Sequence, residues 1–118
     1  MIHESAVERW PGHIETDEFL RFPQLISWEK ALAESKDLKD AAGVGEYYKS
    51  VLPVAISFVR KWHIVGLNVN ADGSPIMTEE GKPLTVDYCN FPASGKLVSW
   101  LIDVVSGLFT STNKSDPN

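Results

Sequence analysis

Residues 68–79 read NVNADGSPIMTE. The stretch fits the calcium-loop pattern D-x-[DN]-x-[DN]-G-x5-E at every marked position except the first, where Asn68 replaces aspartate. Such a loop gathers several hard oxygen donors around one ion and turns sharply at a glycine in its sixth position. Asn68, Asn70, Asp72, Gly73 and Glu79 hold the required spacing, but only Asp72 and Glu79 are anionic ligands, and Ile76 offers no side-chain oxygen at the ninth position. The flanks also disagree with a helix on each side. IVGLNV alternates like a strand upstream, and Gly81 and Pro83 interrupt any exiting helix. Asn and Asp followed by Gly, between two alternating segments, describes a turn. The turn is the favoured reading. A calcium or small-ligand site built from Asn68, Asn70, Asp72 and Glu79 is the alternative. DGSPI at 72–76 and EGKPL at 80–84 share the pattern acid-Gly-x-Pro-aliphatic. That echo reads as two similar turns, each followed by an anchoring apolar residue.

Other reactive groups are scattered. Cys89, His63 and Asp87 supply the residue types of a nucleophile, a base and its orienter. No Lys or Arg adjoins Cys89 to favour its thiolate. Glu4, Glu15, Asp17 and Glu18 make the N-terminal region acidic, which reads as a solvated face. His3, His13 and His63 lack i, i+4 partners and zinc-like spacing to Cys89, and His63 is placed at a helix end. AAGVGEYY at 41–48 lacks the third glycine of a nucleotide loop. No catalytic residue and no cofactor is expected.

At 118 residues the chain is one domain, with 43% hydrophobic residues and four Trp for its core. The net charge of -5, with 11 dispersed Lys and Arg, argues against nucleic acid as a partner. The one cysteine and the absence of a charged and apolar leader in MIHESAVERWPG point to a cytoplasmic protein. LVSWLIDVV at 97–105 is too short to span a bilayer and contains Asp103, so no membrane partner is expected.

These residues need elements to position them. PQLISWEKALAES places Leu25, Trp28 and Leu32 on one stripe and predicts a helix over 23–36. KDLKDAAGVG at 36–45 is a connector. A second helix over 46–62 carries Tyr48, Val51, Leu52, Ala55, Val59 and Trp62 on one face, with a kink or break at Pro53. HIVGLNVN at 63–70 and LTVDY at 84–88 alternate and predict a two-stranded antiparallel ribbon. Ser94 caps a third helix over 95–110, whose apolar stripe is wide. The fold class is therefore mainly α (α+β): three helices and a small ribbon over 1–110, with 111–118 a disordered polar tail.

Trp10, Trp28, Trp62 and Trp100 fall one per segment. Trp10, Trp100 and Phe109 are the candidate partner anchors, since aromatic residues concentrate at interfaces. WPGHIE, FPQLISWEKAL and LPVAISFVRKWHIVGL together resemble small phage or prophage accessory proteins of the tail-assembly-chaperone type. The likeness covers residues 10–67 and part of the third helix, and rests on Trp28–Leu32 and Trp62–Leu67. It implies a non-enzymatic assembly role. The expected function is thus protein interaction, with a protein partner or self-association.

Overall fold

The first helix, α1 (Phe22–Ser35), begins where Arg21 can cap it. The Arg21 carbonyl accepts the Gln24 and Leu25 N–H groups at 3.0 and 3.3 Å. Gln24 Oε1 accepts the Arg21 N–H at 2.6 Å, the return half of a capping box. The computed structural model describes residues 1–35 and 44–115, so most of the connector expected at 36–45 lies outside the described residues. The second helix, α2 (Val44–Ser57), runs through the exposed Pro53 and stops one turn later. Pro53 does not break it. Ser94 caps the third helix, α3 (Gly95–Ser115): its Oγ accepts the Leu97 N–H at 3.2 Å and its carbonyl the Val98 N–H at 3.0 Å. The helix thus continues past 110 into the stretch expected to be a tail, and 116–118 lie outside the described residues.

The β-structure differs from the expected two-stranded ribbon. Among the described residues, three strands form one antiparallel sheet in the order β1 (Ile2–Glu4), β2 (Gly12–Thr16), β3 (Val59–Ile64). The fold class is α+β, with three helices and a three-stranded antiparallel sheet among the described residues. The expected second helix overran by the length of β3. Val59 and Trp62 satisfy a helical stripe with Ala55, but VRKWHI also carries the β-branched and aromatic residues that suit a pleated surface. The choice was made by β2, which pairs with β3 from Gly12↔Ile64 through Ile14↔Trp62 to Glu15↔Lys61. A shift of register then sets Thr16 opposite Val59, leaving the exposed Arg60 outside the pairing.

Gly12 sits at the start of β2 with φ +136, and a Cβ there would lie 2.0 Å from the His63 carbonyl oxygen. Only glycine allows β2 and β3 to approach this closely. Ile14 and Ile64 are fully buried on the inner face of the sheet. There they join Val51 and Ala55 of α2 and Leu101 and Val105 of α3 in one core.

The segments expected to pair as a ribbon are instead linked through the chain between them. The Ile76 N–H donates to the Asn68 carbonyl at 3.0 Å, and the Leu84 N–H to the Ile76 carbonyl at 2.8 Å. The two acid-Gly-x-Pro-aliphatic segments are the same turn made twice. Gly73 N–H to Asn70 carbonyl and Gly81 N–H to Thr78 carbonyl are each 2.9 Å, and both glycines have positive φ, +88 and +80. Leu67, Val69 and Val86 are buried and pin the segment to the core.

His3 lies opposite Ile14 in the β1–β2 pairing, and its Nε2 is 2.9 Å from Thr16 Oγ1. Partial burial, and then the nearby N-terminal ammonium, lower its pKa below the ordinary 6.5. The unfolded chain therefore takes up this proton more readily than the folded one. The contribution is fully present above 6.5 and is lost as pH falls from there toward the lowered value. Urea melts between pH 8 and 5, compared with His3→Gln, should show an acid-dependent loss in the native chain that is smaller in the variant.

Candidate functional site

The three aromatic residues expected to anchor a partner occupy different environments. Phe109 is 8% exposed. It stacks on Trp28 with centroids 6.2 Å apart and meets Phe58 edge-on at 5.6 Å. It is core, not surface, because the wide apolar stripe of α3 is covered by α1, α2 and the start of β3. Trp10 is half-buried and packs against the same core. Its ring lies over Gly66, where a Cβ would come within 3.1 Å of Cζ3, and the Arg9 guanidinium sits 4.8 Å from the ring centroid. Trp10 thus closes onto its own domain. Trp100 is half-buried on the wall of an open groove of about 1020 Å³, shared with Val7, Arg9, Tyr48, Lys96 and Asp103. The groove carries both signs of charge, which gives it no preference for a strongly charged ligand.

The calcium-pattern residues do not converge. Asn68 Oδ1 accepts the Ile64 N–H at 3.0 Å, and its Nδ2 donates to the Trp62 carbonyl at 2.8 Å. The would-be first ligand is therefore committed to the backbone of the edge strand β3. Asn70 Nδ2 donates to Ser74 Oγ at 3.1 Å, and Asp72 Oδ1 accepts from Ser74 Oγ and N at 2.6 and 2.9 Å. Those bonds from Ser74, first from the hydroxyl and then from the backbone, hold the exposed Asp72 carboxyl below its ordinary range. Glu79 lies at the tip of the second turn, whose Gly81 N–H donates to the Thr78 carbonyl, and is exposed.

Cys89, His63 and Asp87 are likewise occupied separately. Asp87 exchanges bonds with Asn90 at 2.9 and 3.0 Å. His63 is in β3, not at a helix end, and stacks on His13 across the β2–β3 pairing with ring centroids 5.0 Å apart. Cys89 is exposed. Of the N-terminal acids, Asp17 pairs with Arg60 at 2.6 Å, and Glu15 stands opposite Lys61 in register. Among the described residues, no helix is long and apolar enough to cross a membrane.

Three large apolar residues around the start of α1 face solvent, which the helical stripe did not foretell. Phe19 is 81% exposed, Phe22 72% and Ile26 47%. Phe22 and Ile26 lie four residues apart on α1 and share a face, and Phe19 stands three residues before the helix begins. The signal was present: these residues fall off the Leu25–Trp28–Leu32 stripe that faces inward.

No protein-family model, no curated protein and no solved structure matches this chain.

Two substitutions distinguish these environments. Phe109→Ala should cost about 3–5 kcal/mol of stability by chemical denaturation, as a buried aromatic does, whereas a surface anchor would cost little. Asn68→Ala should cost about 1–3 kcal/mol, because two backbone partners lose their bonds. Calcium should leave the melting midpoint of the native chain unchanged. A calcium-dependent rise abolished by Asp72→Ala would contradict the turn.

Proposed function

We propose that this protein is a non-catalytic interaction module that docks a protein partner through the outer face of α1, serving as an assembly accessory of the phage tail type. The observation that carries the reading is the exposure of Phe19, Phe22 and Ile26 at and just before the start of α1. Single exposed apolar residues are ordinary, but grouped aromatic side chains mark contact surfaces. Such side chains supply most of the energy at an interface once water is excluded around them. Glu18, Arg21, Glu29 and Lys30 stand beside the cluster in sequence, a charged surround of the kind that rims an apolar contact. Trp100 in its groove is a second surface that a larger partner could reach. The phage assignment rests on the resemblance of residues 10–67 and part of the third helix.

The test is capture of tagged protein from cells in which its phage or prophage genes are expressed, beside the double variant Phe19→Ser/Phe22→Ser. Both residues are exposed, so the variant should melt like the native chain. The expected result is a stoichiometric partner held by the native chain and bound at least about tenfold more weakly by the variant. Equal retention by both, or no stoichiometric partner at all, would sink the reading.

A further inference from the structure

The antiparallel pairing of β2 and β3 sets His13 directly opposite His63. Both lie on the face of the sheet turned away from Ile14 and the core, because side chains alternate along each strand. The two imidazole rings stack 5.0 Å apart with planes 17° from parallel. Both residues are half-buried, so the sheet orients them while solvent still reaches them. Imidazole nitrogen suits Zn²⁺ and Ni²⁺. Directly opposite residues hold their Cβ atoms about 5 Å apart, so rotation of the two side chains alone can turn a nitrogen of each toward one ion at about 2 Å.

We infer that His13 and His63 form a two-imidazole site for a divalent transition-metal ion on the outer face of the sheet. Among the described residues, no group of three His, Cys, Asp or Glu side chains could hold an ion. The pair therefore acts as a bidentate chelate, and water fills the other positions. The charged residues on the same face are Glu4, opposite His13 on β1, and Glu15 opposite Lys61. The two carboxylates favour a cation there and Lys61 opposes it. The third histidine, His3, faces the other way and is engaged with Thr16. An ion held by both strands binds the folded chain alone and so stabilises it by linkage.

The test is the thermal midpoint of the full chain with Ni²⁺, with Zn²⁺ and with Mg²⁺ as the hard-ion control. The native chain is compared with His13→Gln, His63→Gln, His3→Gln and Cys89→Ser. The midpoint should rise saturably with Ni²⁺ or Zn²⁺ and not with Mg²⁺. The rise should vanish in His13→Gln and in His63→Gln and persist in the other two variants. An absent rise, a rise that survives His63→Gln, or one that disappears in His3→Gln or Cys89→Ser overturns the inference. Should a glutamine variant fail to fold, paramagnetic Ni²⁺ on the native chain decides the question. It should broaden the imidazole resonances of His13 and His63 before those of His3, and uniform or His3-first broadening overturns the site.

Discussion

Trp28, Phe58 and Phe109 hold the molecule's elements to one another. Each ring belongs to a different part of the chain: the middle of α1, the junction of α2 with β3, and the far half of α3. Their centroids lie 5.6–6.2 Å apart, with one stacked and two edge-on arrangements. Such geometries match the quadrupoles of aromatic rings and add to the burial of large apolar surfaces. Phe58 is the residue at which the chain stops being helix. Placing it in this cluster anchors the junction from which β3 sets out to pair with β2.

Beyond that cluster, the chain makes its remaining turns with local chemistry. Two glycines with positive φ and the hydrogen bonds around them build the same tight turn twice, eight residues apart. Asn68 joins this region to the sheet by offering its amide to the backbone of β3, as a neighbouring strand would. An irregular stretch can follow an edge strand when a side chain of this kind satisfies backbone groups that a partner strand would otherwise meet. A sequence that spells a calcium loop is, in this fold, an edge cap followed by two turns.

The surface divides its tasks. The groove beside Trp100 is mixed in charge and partly walled by the segment preceding Trp10. The outer face of α1 is apolar and open at its start, where Phe22 and Ile26 lie. The outer face of the sheet is polar and carries the stacked histidines. Ligand chemistry and partner contact would therefore use different faces, and neither would disturb the core.

The sequence by itself determined what periodicity, caps and turns encode within a few residues. The inward stripe of α1, the Ser94 cap, the wide buried face of α3 and the doubled turn were all legible in this way. Each depends on neighbours in the chain, whose spacing sets which side chains share a face. Tertiary structure decided what depends on distant partners. Val59–Ile64 satisfied both helical and strand patterns, and only pairing with β2, more than forty residues earlier, settled it. The burial of Phe109 and the exposure of Phe22 were fixed by which elements covered them, not by their own helices. The stacking of His13 on His63 required the β2–β3 register. A local pattern cannot specify register between remote strands, because the loop between them leaves the alignment open until the core closes.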